Sequence, residues 1–357
     1  MIERVPLIID VDTGIDDSLA LLYACASPEA QVIAVTCVAG NVDARQVALN
    51  TRAVLELAGR TEIEVALGRE VPLVRDLVTT PETHGPLGIG YAELPPPTRP
   101  LLARHAVDLF IEEARRRPGE ITLVTLGPLT NLAMAVLREP ELPRLLRRVV
   151  MMGGSYRSPG NTAPTTEWNI SVDPDAAKVV LAAFGAGAGI PRPIALGLDV
   201  TERVKFTPEH MVRLARRAGS RPDVSAVAES EHLAGIGALV MEPRSVASNP
   251  VIRFVADALR FYMEFHSRFD GFYGAFIHDP LALATALDPM LVRTEALTVD
   301  IELGGRLTTG ETVTDWRRTW GRPPNLDVAV EARTDVFLDR FIERVGGLAE
   351  RRSNVAS

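Results

Sequence analysis

Through the first two thirds of the chain, short uninterrupted apolar runs alternate with amphipathic stretches of helical spacing. Val5–Ile9 is followed by Ser18–Ala26, and the β-branched run Val32–Ala39 by Ala44–Leu57. Ile121–Leu126 precedes a helical stretch from Thr130 to Leu137, Val149–Met152 precedes Asp175–Phe184, and Pro193–Leu198 is a further short strand. A strand with one wet face alternates in polarity, whereas a strand covered on both faces is apolar throughout. The pattern therefore predicts an α/β domain: a single open, mostly parallel sheet with helices on both faces. Alternation in Leu297–Leu303 and Leu326–Ala332 predicts a small late β-hairpin, and Thr334–Val345 a terminal helix. No repeat or linker divides the chain, so residues 1–349 read as one domain and 350–357 as a flexible tail.

Open parallel sheets bind ligands beyond the carboxyl ends of their strands. Polar clusters follow strand after strand here: Asp10 to Asp17, then Gly40-Asn41, Gly127-Pro-Leu-Thr-Asn131, Gly153-Gly-Ser155 and Asp199. Three irregular stretches, Thr79–Pro100, Ser155–Thr166 and Gly219–Pro250, are long enough to act as lids or binding loops, the last of them partly helical.

The densest cluster is Asp10-Val-Asp12-Thr-Gly14-Ile-Asp16-Asp17, four carboxylates in eight residues. Such a group repels itself unless a cation or several donors compensate it. A hard cation with oxygen ligands is the simplest solution, and Ca²⁺ accepts many such ligands in flexible geometry. Asp16 and Asp17 also fall at a helix start, where negative charge is favoured. An EF-hand is excluded, because its fifth and sixth positions hold Gly14 and Ile15. An ordinary capped helix accounts for one or two of these acids but not for four. Asp10, Asp12 and Thr13 after an apolar strand also resemble the opening of haloacid-dehalogenase-type phosphatases, although that family's lysine and later acidic pair have no good candidates here.

The bulk composition narrows the partners. A net charge of −8 argues against a nucleic-acid surface, which is normally basic. No run approaches the ~20 apolar residues of a membrane span, and the N-terminal run is too short for a signal peptide, so the expectation is a cytoplasmic protein. Cys25 and Cys37 lie in apolar runs and read as buried thiols rather than a disulfide framework.

Further blocks follow in order: Val38-Ala-Gly-Asn41, Leu126-Gly-Pro-Leu-Thr-Asn131, Met152-Gly-Gly-Ser155, Gly160-Asn161, Glu167-Trp-Asn169, Asp173-Pro-Asp175 and Ile277-His-Asp-Pro280. Together with Asp10–Asp17 they span about residues 5–345, and in this order the chain resembles the inosine-uridine-type nucleoside hydrolases. The resemblance implies a Rossmann-like nucleoside hydrolase fold and cleavage of the N-glycosidic bond of ribonucleosides with one Ca²⁺ ion. It implies Asp12, Asp17, Asp279 and the backbone carbonyl of Leu126 as cation ligands. It gives Asp16, Asn161, Glu167 and Asn169 to the ribose, Asn41 a place beside the attacking water, and Asp10 the support of the acidic turn. Family members are commonly homodimers or homotetramers.

The chemistry accounts for these residue types. Breaking a ribosyl C–N bond builds positive charge on the sugar, which carboxylates and amide oxygens stabilise. Asp12 would be both ligand and general base. Departure of the base calls for an acid with a pKa near neutrality, and His278, beside Asp279, is the candidate. His84, in Thr83-His84-Gly85, matches a family histidine near the bound base. Some members carry two tyrosines one helical turn apart; here Tyr262 fills the first place and His266 the second, with Phe269, Phe272 and Tyr273 nearby. A non-catalytic nucleoside-binding protein is the remaining alternative, against which Asp12, Asn41 and His278 are all intact.

Overall fold

The computed structural model describes residues 3–185, 187–221 and 244–353. Its strands, in chain order, are β1 (Val5–Val11), β2 (Ala30–Cys37), β3 (Glu64–Leu67), β4 (Thr122–Thr125), β5 (Arg148–Met152), β6 (Ile194–Leu196), β7 (Lys205–Phe206), β8 (Ala275–Phe276), β9 (Val292–Leu297), β10 (Val299–Ile301), β11 (Thr312–Thr314) and β12 (Leu326–Ala332). Eight of them form one sheet in the order β3-β2-β1-β4-β5-β6-β12-β9. All neighbours are parallel except β9, which runs antiparallel along β12 at the edge. The architecture is the mostly parallel α/β sheet expected from the sequence.

Side chains of the central strands alternate between two cores, as the two-residue period of a strand requires. Leu7, Ile9 and Val11 of β1, with Val124, Val150 and Met152, join the core beneath the helices Ile15–Ala26, His278–Leu287 and Thr334–Ser353. Ile8, Leu123, Val149 and Met151 face the opposite core, under Ala106–Arg116, Thr130–Arg138 and Pro174–Phe184. Both faces are thus dry, which is why these strands carry no polar alternation.

The strand order reverses between β1 and its two neighbours: β2 follows on one side and β4 on the other. Loops leaving the carboxyl ends of β1 and β4 consequently diverge to opposite faces and leave a crevice between them. The acidic turn follows β1, so it opens directly into that crevice.

Two details depart from the sequence reading. The run Leu326–Ala332 is an internal strand of the main sheet rather than one arm of a detached hairpin, pairing in parallel with β6 and antiparallel with β9. The separate small hairpin is β10–β11, inserted between them. The terminal helix does not end at Val345 but continues to Ser353. Asn249 donates to the Ala349 carbonyl and to Ser353, and Arg352 to the Leu57 carbonyl, which fastens the segment expected to fray. Residues 354–357, and 222–243 of the Gly219–Pro250 stretch with His232, lie outside the described residues. No helix among the described residues is long and apolar enough to cross a membrane.

Candidate active site

Gly14 starts the helix Ile15–Ala26, and Asp17 folds back over the turn. The Asp17 carboxylate accepts from the amides of Asp12 (3.2 Å) and Gly14 (2.9 Å) and from the Asn41 side chain (3.3 Å). Asp12 accepts from the Asn41 amide at 2.9 Å. Asp279 arrives from the first turn of the helix His278–Leu287, which packs against Ile15–Ala26. Two helix N-termini therefore aim at one point, an arrangement that favours negative charge. Carboxylate oxygens of Asp16, Asp17 and Asp279 lie within 4.8 Å of one another. Asp12 stands beside that trio, its carboxylate in contact with Asp17 and oriented by the Asn41 amide.

These acids are buried, and burial with mutual repulsion drives their pKa values up. Asp16 is pushed to about 8, first by burial and then by the charge of Asp17. Asp12 and Asp279 are raised well above the ordinary carboxylate range by the same causes. Among the described residues no arginine or lysine compensates them. The donor set is all oxygen, and the buried Asn41 Oδ1 beside it has no hydrogen-bond partner. A hard divalent cation fits such a set.

Glycines make room for the Asp12 carboxylate. A Cβ on Gly40 would stand 2.2 Å from Asp12 Oδ2, and one on Gly127 2.7 Å from Asp12 Oδ1. Gly127→Ala should therefore displace the Asp12 carboxylate and cut kcat by about 10²-fold, the size of a lost acid–base contribution, while the protein still folds. Steady-state kinetics beside a thermal melt would check this; wild-type kcat would show that the carboxylate tolerates the shift.

Asp10 lies below this layer. It is fully buried, and its Oδ1 accepts from Thr36 (2.6 Å) and Asn131 (2.8 Å). Asn131 also donates to the Cys37 carbonyl, tying the ends of β1 and β2 together. A phosphatase would need Asp10 exposed as its nucleophile, but Asp10 does not line the cavity.

That cavity, of ≈ 290 Å³, is lined at its floor by Asp12, Asp16, Asn41, Leu126 and Asp279. One wall is Glu167–Asn169. Glu167 caps a short helix, its carboxylate taking the amides of Gly154, Asn169 and Ile170. Asn169 spends its side-chain nitrogen on the Leu126 carbonyl (2.7 Å) and on Met152. Asn161 sits at the exposed rim, its side-chain oxygen accepting from the Trp168 amide. Leu126 is among the lining residues, and its carbonyl accepts from Asn169.

The far end is aromatic. Tyr262 and His266, one turn apart on the helix Pro250–Phe269, meet in a tilted contact at 4.5 Å between centroids, and His84 leans on Tyr262 at 5.4 Å. His278 closes the end behind Phe276. His84 Nδ1 accepts from the Ile15 amide, so a neutral His84 carries its proton on Nε2. Burial lowers His84 to about 3. His278, expected to titrate near neutrality, is likewise pulled down to about 3 by burial and by its two neighbouring imidazoles.

A family model described as inosine-uridine preferring nucleoside hydrolase matches residues 7–339. The chain belongs to this nucleoside hydrolase family. It is 37% identical to a pyrimidine-specific ribonucleoside hydrolase, RihA, of Enterobacter sp. (strain 638), over 97% of this chain and 99% of the relative. It is 35% identical to an inosine-uridine preferring nucleoside hydrolase of Leishmania major, over 95% and 98%. A solved purine-preferring ribonucleoside hydrolase from Gardnerella vaginalis superposes with a TM-score of 0.82 at 31% identity, over 97% of this chain and 99% of that one.

Within this family fold, two partners of the cavity imidazoles are not visible in the sequence. Thr201, from the turn after β6, meets His278 Nδ1 at 2.8 Å. Asp270, just past the helix carrying His266, meets His266 Nδ1 at 2.7 Å. The spacing of four between His266 and Asp270 was the available signal, since residues one helical turn apart share a face.

Proposed function

We propose that the chain hydrolyses the N-glycosidic bond of ribonucleosides, giving ribose and free base, with Ca²⁺ at the acidic floor. One observation carries this reading: a cavity with buried carboxylates at one end and aromatic and imidazole rings at the other. Asp12, Asp17, Asp279 and the Leu126 carbonyl would hold the ion, which when bound acidifies and orients a water for attack at the anomeric carbon. Asp12 takes the proton from that water, and Asn41 fixes Asp12 through its amide. Asp16 and the Asn161, Glu167 and Asn169 wall hold the sugar hydroxyls and face the positive charge that grows on the ribose. His84, Tyr262, His266 and His278 surround the base, and protonation of the leaving base falls to this cluster.

The relatives' printed preferences differ among pyrimidine, inosine-uridine and purine; in this reading the aromatic end, which faces the base, sets the base selectivity. Incubation with inosine and with uridine should release reducing sugar, and a nucleoside panel read as kcat/KM would rank the bases. Inorganic phosphate from a phosphate ester, with no sugar from any nucleoside, would sink the proposal.

A further inference from the structure

Three buried imidazoles surround the base end, and they differ in what holds the nitrogen turned away from the cavity. His84 Nδ1 accepts a backbone N–H from Ile15, a bond that a second ring proton would break. His278 Nδ1 meets the Thr201 hydroxyl, a neutral group that is itself bonded to the Gly197 carbonyl. His266 Nδ1 meets the carboxylate of Asp270. Of the three, His266 alone has a partner whose charge offsets an imidazolium. Its Nε2 is buried in the cavity lining without a hydrogen-bond partner, whereas the Asp270 side chain is 41% exposed and remains hydrated.

We propose that His266, backed by Asp270, hands the departing base its proton. The proposal rests on the nucleoside hydrolase reading and names the proton donor within that site. As the C1′–N bond breaks, its electron pair goes to the base, which takes the proton from His266 Nε2. The water oxygen bonds to C1′, and its proton goes to Asp12. After the products leave, Asp12 loses that proton to solvent and Nε2 regains one, so the sum is nucleoside plus water to ribose plus base. Asp270 holds the Nδ1 proton throughout and fixes the ring so that Nε2 faces the cavity.

The surroundings bear on how strongly His266 holds its proton. Burial lowers its pKa, and the Asp270 bond and charge act against that. Tyr262 lies tilted against it from its own helix. Phe272 and Phe276 flank it from the following segment, with the Lys205 ammonium over both rings. His84 and His278 face it from the loop and from the helix His278–Leu287. Glu202, pushed to about 7 by burial and by Asp270, lines the same cavity.

The test compares leaving groups in the Ca²⁺-loaded full chain. His266→Gln should lower kcat/KM for uridine and inosine by about 10²–10⁴-fold, the usual worth of general acid catalysis. On 4-nitrophenyl riboside, whose leaving group departs as a stable anion, the loss should be no more than a few-fold; that substrate also reports folding. Asp270→Asn tests positioning. Without the carboxylate the imidazolium is less stable, so the alkaline limb of the nucleoside pH profile should move to lower pH, while the nitrophenyl profile stays and Asp270→Glu restores the limb. Equal slowing of both substrate types by His266→Gln, undiminished nucleoside turnover, or an unmoved limb in Asp270→Asn overturns the proposal. A wild-type protein that cleaves no riboside overturns the reaction reading itself, and the proposal with it.

Discussion

Asp12→Ala is expected to lower kcat by roughly 10⁴-fold or more, because in the proposed mechanism one carboxylate would serve twice: as ligand and as the acceptor of the water's proton. The geometry makes this side chain hard to replace. The Asn41 amide orients it, and Gly40 and Gly127 are bare because any side chain there would collide with it. The variant separates catalysis from folding. Asp12 is buried and repelled by Asp17 and Asp16, so in chelator its removal relieves repulsion rather than breaking an ion pair. The metal-free variant should therefore melt at or above the metal-free wild type, even though it is inactive. Turnover within ten-fold of wild type would remove Asp12 from both roles.

Removal of the cation is the second large effect. Dialysis against a chelator should abolish nucleoside cleavage and lower Tm, since Asp16, Asp17 and Asp279 are then left to repel one another out of water. A ligand present at 100 times its Kd stabilises the native state by about 2.7 kcal/mol, which is several degrees of Tm for a chain of this size. Added Ca²⁺ should restore both activity and Tm. Mg²⁺ should restore less, because it demands a tighter octahedral shell than this wide set of carboxylates and carbonyl offers. A chelated protein with full activity and unchanged Tm would rule out a cation at the floor.

Much of this site is legible because strand and helix patterns carry positions as well as types. An apolar run ending in Asp10 places the following acids at a carboxyl strand end, where an open sheet binds its ligands. The uninterrupted run at Val149–Met152 reads as a two-face strand, and the sheet uses both faces. Edges are harder. Alternation in Leu326–Ala332 marks a strand but does not name its partner, and β12 pairs in parallel with β6 as well as antiparallel with β9. The helix Ala106–Arg116 was missed after the proline-rich stretch, although its apolar face is buried. The pairings of His278 with Thr201 and of His266 with Asp270 were also missed. The first joins residues 77 apart, which no local pattern reveals. The second is local, but Asp270 at a helix end reads as a cap until the fold turns His266 into the cavity. The burial that lowers His278 is likewise a property of the folded site and not of the residue type.

The hydrogen bond from the Ile15 amide to His84 has a consequence for traffic through the cavity. The first amides of a helix have no partner within it, and this one is satisfied by a ring from another loop. That loop is also tied by the Thr80 amide to the Asn41 carbonyl. Swinging it aside would strand a buried donor at a cost of about 1–3 kcal/mol, slowing that route by roughly one to two powers of ten. Substrate and product should pass instead by the rim near Phe269 and the half-exposed Asp270. The latched loop leaves that rim as the door.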